Sequence, residues 1–296
     1  MSSLGTIQEN ERLVQLSPVV FLFLWASGFV FLKIGLEYAD PLTFLSLRYL
    51  CVVGLLLPLV LWIRPKFPST KRGWSGVICV GLFLQTGYFT FTYLSLRHGL
   101  SAGVVALITC QQPILVGMLA PAVAGERVTP VRWVGLILGV TGASIVIVAN
   151  FSTQVSSATG VAFGMAALMS ITCSTLTEKR LATAAHPVAT NIVQYSIGLI
   201  VTAPLAYFLE PMRIAWSWQF TVSLVYLVFG ASLLAITLLL AMIRRDEATR
   251  VSALFFLVPP TTALLAYVFV GETLAWISLP GMVLAAAGIY LVSRKV

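Results

Sequence analysis

Charged and amide side chains are rare inside the long apolar runs of this chain, so each one found there is a candidate for recognition chemistry. Lys33 falls near the end of the first run and Arg48 in the early part of the second. Either can hold an anionic group such as a carboxylate, snorkel to lipid headgroups, or pair with Glu37 or Asp40. Thr109-Cys110-Gln111-Gln112-Pro113 sets a hydroxyl, two amides and a proline close to the middle of the fourth run. Pro113 has no N–H to give the Thr109 carbonyl, which leaves a backbone acceptor beside the amides, and Pro259-Pro260 repeats the break in the ninth run. Gln85 and Thr86 form a further polar pair at depth. These groups either meet the polar part of a substrate or tie neighbouring helices at a kink, and both readings stay open. Ser170, Thr172, Ser174 and Thr175 read first as close-packing residues.

Aromatic residues supply a different capacity. Trp25, Phe29, Tyr88, Phe89, Tyr93, Phe255 and Phe256 can wall an apolar cavity suited to an aromatic or other apolar side chain, although aromatics also pack any helical bundle. Trp25 is the strongest of them. The other six of the seven Trp (Trp62, Trp74, Trp133, Trp216, Trp218 and Trp276) fall at run ends, where indoles anchor to the membrane interface.

Bond-making chemistry has little support. His98 and His186 fall at run ends on opposite sides, and no run centre carries an Asp or Glu to complete an acid–base pair. Cys51, Cys79, Cys110 and Cys173 stand singly without CxxC spacing, so neither a disulfide framework nor a metal site is indicated. No enzyme activity, metal ion or cofactor is expected, and no polar ring suggests a channel filter.

The elements that must position these residues follow from composition. Of the 296 residues, 59% are hydrophobic and 9% charged, against about 25% charged in a soluble domain. Uncharged runs reach the roughly 20 residues that cross a bilayer. Nine polar breaks divide the chain into ten helices, over about 17–36, 42–63, 73–95, 101–124, 131–150, 159–178, 188–209, 218–241, 250–270 and 275–293. With the N-terminus inside, 14 of the 18 Lys and Arg fall on cytoplasmic segments and only Arg97 and Arg213 outside, so both termini are placed in the cytoplasm. The net charge of +8 is spent on topology rather than on a nucleic-acid face. The first 16 residues are polar and mixed in charge, and no cleaved signal peptide is expected.

A shift of 146 residues aligns the chain with itself without a gap. It sets Lys33 on Lys179, Pro41 on Pro187, Tyr49 on Tyr195, Pro58 on Pro204, Pro113 on Pro259, Gly125-Glu126 on Gly271-Glu272, Gly135 on Gly281 and Gly142 on Gly288. Five helices per half is an odd number, so the halves enter the membrane with opposite orientation. The expected fold is an all-α integral membrane protein of ten transmembrane helices in two inverted five-helix repeats. Its parts are a cytoplasmic tail (1–16), a first repeat (17–150), a linker (151–158) and a second repeat (159–296). Inverted repeats mark secondary transporters, because related halves can expose one midplane site to either side in turn. The GxxxG of Gly135 and Gly139, and its counterpart at Gly281 and Ala285, suits close packing within the bundle or between two protomers. Monomer and homodimer both remain open. Glu126 and Glu272 are placed as caps of the helices that follow them.

The stretch Leu24-Trp25-Ala26-Ser27-Gly28-Phe29, Lys33, Asp40-Pro41-Leu42-Thr43-Phe44 and Arg48-Tyr49 resembles the opening of the EamA-type exporters of the drug/metabolite transporter superfamily. Gln112-Pro113, Gly125-Glu126-Arg127, Gly135 and Gly142, with Pro259-Pro260, Gly271-Glu272-Thr273, Gly281 and Gly288, resemble the closing parts of its two halves. The resemblance implies export of amino acids or other small metabolites across a bacterial inner membrane, with lipid and a small-molecule substrate as partners. Large apolar or aromatic amino acids are the leading substrate class, and drug-like or other organic metabolites the alternative. The candidate substrate residues are Trp25, Lys33, Arg48, Gln85, Tyr88, Thr109, Gln111, Gln112, Pro113, Phe255 and Pro259.

Overall fold

A computed structural model of the chain describes residues 2–98, 100, 105, 108–150, 157–181, 185–246, 248–270 and 276–293. Ten helices run through them: α1 (Ser2–Leu36), α2 (Pro41–Ile63), α3 (Lys71–Arg97), α4 (Gln112–Ala124), α5 (Pro130–Asn150), α6 (Ala158–Leu181), α7 (Pro187–Leu209), α8 (Trp218–Arg245), α9 and α10 (Ser278–Ser293). The ninth, α9, joins Ala248–Ser252, Ala253–Leu257 and Val258–Val270. Among the described residues there is no strand, only isolated bridge positions, of which Ala39 and Ile214 pair with each other. Six helices, α1 from Leu16, α2, α3, α6, α7 and α8, are long and apolar enough to cross a membrane.

Local sequence sets the boundaries. Pro41 and Pro187 open α2 and α7, where their missing N–H has no helical partner to lose. The hydroxyls of Thr70 and Ser217 cap α3 and α8 by accepting from Gly73 N at 3.0 Å and Phe220 N at 3.1 Å. Gly125, at φ +69°, ends α4 in the left-handed conformation that glycine adopts at no steric cost. The polar residues before position 17 are helical too and continue α1, since nothing between Ser2 and Ser17 breaks a helix.

Three helices are irregular. Gly81–Tyr88 of α3 and Leu227–Ala235 of α8 are π-helical, and the 146-residue shift carries one stretch onto the other. In α9, Pro259 cannot donate to the Phe255 carbonyl. That carbonyl accepts from Val258 N instead, and Ala253–Leu257 tightens to a 3₁₀ turn.

Packing also repeats. The main contacts include α5 with α10, α3 with α6, α1 with α8, α2 with α7, α3 with α7, α1 with α9 and α4 with α6, and a smaller one joins α4 to α9. Because the shift maps α1 onto α6 and α3 onto α8, the α3–α6 and α1–α8 contacts are one contact made twice. The tightest pair is α5–α10. A Cβ on Gly142 would stand 2.4 Å from Ala285 N, and one on Gly288 would stand 2.5 Å from Gly139 N. The small-residue face of α5 is therefore consumed inside the bundle. Outside, Ile200, Phe208, Val283 and Trp276 are exposed, as an apolar solvent permits.

Polar ties close both ends. At one end Glu210 caps α2, accepting from Leu42 N at 2.9 Å, Thr43 N at 2.8 Å and the Thr43 hydroxyl at 2.9 Å, and it pairs with Arg97 at 2.9 Å. There Ala215 N also donates to Tyr38 O at 2.7 Å. At the other end His186 N donates to Lys66 O at 3.0 Å, and Arg244 of α8 is bonded to buried Glu178 of α6. Glu126 accepts from Thr249 N at 3.2 Å and from its hydroxyl at 3.0 Å. It thus caps the start of α9, because the α4–α9 contact brings Thr249 within its reach. Gly271, Glu272 and Thr273 lie outside the described residues.

Candidate functional site

The π-helical stretches of α3 and α8 face one another across α1 and α2, and a narrow cleft lies between them. Helix α1 lends Trp25, Gly28, Phe29 and Leu32, and α2 lends Arg48. From α3 come Tyr88, Phe89 and Thr92, and from α8 come Leu227 and Ala231. Gly28 keeps the α1 side thin: a Cβ there would meet Ala231 Cβ only at 3.7 Å.

Arg48 is the chemical centre of this wall. It is 2% exposed, its Nε donates to Ser232 Oγ at 2.7 Å, and its guanidinium lies 4.8 Å over the Phe89 ring. Among the described residues it has no carboxylate partner, and its Nη2 makes no hydrogen bond. The sequence left open a snorkelling role near the end of α2, or a pair with Glu37 or Asp40. The structure corrects this, since α7 and α8 cover that face of α2 and turn the side chain to the midpoint of α8. Asp40 instead accepts from Arg213 N at 2.8 Å. The Thr92 hydroxyl, in the same wall beside Tyr88, makes no hydrogen bond of good geometry among the described residues. A buried guanidinium that keeps an unbonded N–H is chemically suited to hold a carboxylate.

The rest of the wall is aromatic. Trp25 stacks with Tyr88 at 6.2 Å between ring centroids and meets Phe255 edge-on at 5.4 Å, while Phe255 also contacts Phe21 at 5.8 Å. Trp25, Phe21 and Phe255 form the floor of the cleft towards the N-terminal end of α1. The opposite end continues into a second cleft that shares Phe29, Leu32 and Thr92 and reaches Lys33, Leu36 and Leu96. Lys33 is exposed there, with no ion pair among the described residues.

Of the residues singled out by sequence, Trp25, Arg48 and Tyr88 come together here, with Phe255 against Trp25 and Lys33 at the mouth. The α4 group does not join them. The Thr109 hydroxyl donates to Val105 O at 2.9 Å in its own helix, and Gln111 Nε2 lies 3.8 Å from Cys110 Sγ. Gln112 is fully buried and donates to Thr175 Oγ1 at 2.9 Å, tying α4 to α6. Pro113 sits at the first turn of α4 and is buried, as is Pro259 within α9. Gln85 is fully buried behind the wall, near Gly198 and Tyr49, and neither polar atom of its amide has a partner. Among the other aromatics, Phe256 turns to Gly139 and Tyr93 packs with Phe44.

Sequence reasoning missed Gly28, Thr92, Leu227, Ala231 and Ser232. One signal was available for Ser232: the 146-residue shift carries Thr86, of the polar pair already noted, onto it. Across the Tyr49–Tyr195 contact the same shift sets Gln194, fully buried and without a partner for its amide, opposite Arg48.

Comparison with known proteins agrees with this architecture. The chain is 28% identical over 284 residues to a protein of Salmonella typhimurium named a probable amino-acid metabolite efflux pump, covering 92% of each chain. A protein of the same name from Escherichia coli is 25% identical over 286 residues, again with 92% of each covered. An uncharacterised transporter of Bacillus subtilis, YvbV, is 26% identical over 93% of this chain and 89% of its own. A solved crystal structure superimposes with a TM-score of 0.80 over 95% of this chain and 97% of its own at 14% identity, which shows a shared fold. The model of the EamA-like transporter family matches twice, at residues 16–148 and 158–294. The chain is therefore a multi-pass membrane transporter rather than an enzyme, and it belongs to the EamA-like transporter family.

Proposed function

We propose that this transporter exports amino acids with large apolar or aromatic side chains, or metabolites made from them, by alternating access. One observation carries the reading: Arg48, buried and without a carboxylate partner among the described residues, stands in the wall of a largely aromatic and apolar cleft. A carboxylate satisfies the guanidinium, and an apolar side chain fits against Trp25, Tyr88 and Phe89. The names of the Salmonella and Escherichia relatives, probable amino-acid metabolite efflux pumps, support amino acids or their metabolites as cargo, without naming a side-chain class.

The transport cycle rests on the doubled contacts. The cleft opens towards the end that carries Lys33 and Arg97, while Trp25, Phe21 and Phe255 floor it and the Glu178–Arg244 pair ties α6 to α8 at the other end. The asymmetry of basic residues favours placing the open end outside and both termini in the cytoplasm of a bacterial inner membrane. Residues 17–150 and 159–296 act as inverted repeats about the Tyr49–Tyr195 contact, so exchanging the open and closed ends turns the same site inward. The α5 face used against α10 leaves a monomer sufficient.

A flux panel on purified protein in liposomes tests this. Solutes of matched size with and without a carboxylate, and with apolar or polar side chains, are loaded and their release is followed. Faster release of apolar-side-chain carboxylates than from empty liposomes supports the reading, and no faster release of any carboxylate defeats it.

A further inference from the structure

We infer that the cleft selects cargo by net charge and prefers monoanionic carboxylates, in which the amine is absent or acylated, over zwitterionic amino acids. The inference rests on the proposed carboxylate role of Arg48 and goes on to name the charge of the whole cargo.

The lining of the cleft is one-sided. Arg48 contributes a positive charge, and among the described residues no Asp or Glu lines the cleft. Glu210 caps α2, Glu178 holds Arg244 and Glu126 caps α9, so these acids are engaged at the ends of the bundle. A bound monoanion brings the site to neutrality. A zwitterion leaves it with one net positive charge in a medium of low dielectric, where that residue of charge is costly.

The ammonium of a zwitterion would also be short of acceptors. It carries three donors, and the side chains of the wall offer it no more than the Thr92 and Tyr88 hydroxyls and aromatic faces. Those faces are compromised: the Phe89 ring already lies under the Arg48 guanidinium, and Trp25 and Tyr88 stack on each other. An α-ammonium is held two bonds from its own carboxylate carbon, so it would be carried next to Arg48, where like charges repel. Removing or acylating the amine lifts both penalties and keeps the carboxylate and the apolar side chain.

Isothermal titration of the purified, intact transporter in detergent at pH 7 tests this with four ligands sharing one benzyl group: 3-phenylpropionate, N-acetylphenylalanine, phenylalanine and phenylalaninamide. The two anions should bind about 10- to 150-fold more tightly than phenylalanine, the effect of one unsatisfied buried polar group. The cationic amide should bind least. Phenylalanine binding as tightly as the two anions, or more tightly, would overturn the charge preference while leaving the carboxylate reading intact. If no carboxylate binds, the carboxylate reading fails, and this inference fails with it.

Discussion

Tyr49 and Tyr195 stand 146 residues apart in sequence and meet edge-on with ring centroids 5.5 Å apart. Each hydroxyl reaches into a π-helical stretch: Tyr49 donates to Gln85 O in α3 at 2.7 Å, and Tyr195 donates to Ser232 O in α8 at 2.8 Å. Their chain neighbours break the equivalence, since Arg48 precedes one and Gln194 the other. A near-symmetric frame thus carries one charged side.

Tyr49→Phe and Tyr195→Phe should each strand a buried carbonyl and cost about 1–3 kcal/mol. Thermal unfolding in detergent should show similar falls in midpoint for the two variants. A large fall for one and none for the other would show that the contact is not shared evenly by the two halves.

Gly142→Leu and Gly288→Leu should prevent correct folding, because no room exists for a side chain between α5 and α10. Gly54→Ala on α2 is the control, since a Cβ there meets nothing within 4 Å and helix propensity improves by up to about 1 kcal/mol. Yield of monodisperse protein on size-exclusion chromatography separates the cases. A well-folded Gly142→Leu protein would refute the packing.

Gly28 offers a graded probe of the cleft. Gly28→Ala should transport nearly as well as wild type, since its Cβ makes ordinary contact with Ala231. Gly28→Leu should fold and yet lose most flux by filling the space beside Arg48. Full flux in Gly28→Leu would place the pathway elsewhere.

Orientation is open to cysteine labelling in a background lacking the four native thiols. A membrane-impermeant maleimide should label Arg213→Cys, and not Lys66→Cys, in intact cells. Both positions are exposed in the bundle, so access is decided by the side of the membrane alone. The reverse pattern would invert the assignment.

Much of the frame was legible because its signals are local. Prolines open α2 and α7, a glycine ends α4, and the 146-residue spacing recurs in Pro, Gly and Tyr. The cleft was legible only in part. Trp25 could be picked out by its distance from any interface, whereas the depth of Arg48 could not, since it depends on α7 and α8 covering one face of α2. The surroundings of Thr109 and Gln112 were hidden for a related reason: the Thr109 hydroxyl donates to a backbone carbonyl and the Gln112 amide nitrogen to Thr175, and only the folded chain shows those partners. The π-helical turns that set Tyr88 and Ala231 in the wall leave no periodic mark in the sequence.

The central claim is that Arg48 receives the carboxylate of the cargo, and a cycle that changes protein and ligand together tests it most directly. Affinities of N-acetylphenylalanine and N-acetylphenylalaninamide, which differ in the carboxylate, are measured for wild type and Arg48→Gln, with a thermal midpoint taken for each protein to confirm folding. Wild type should favour the acid by about 10- to 150-fold, or roughly 1.5–3 kcal/mol, and folded Arg48→Gln should show almost no preference. An equal preference for the acid in both proteins would mean that the carboxylate is held elsewhere and would contradict the role of Arg48.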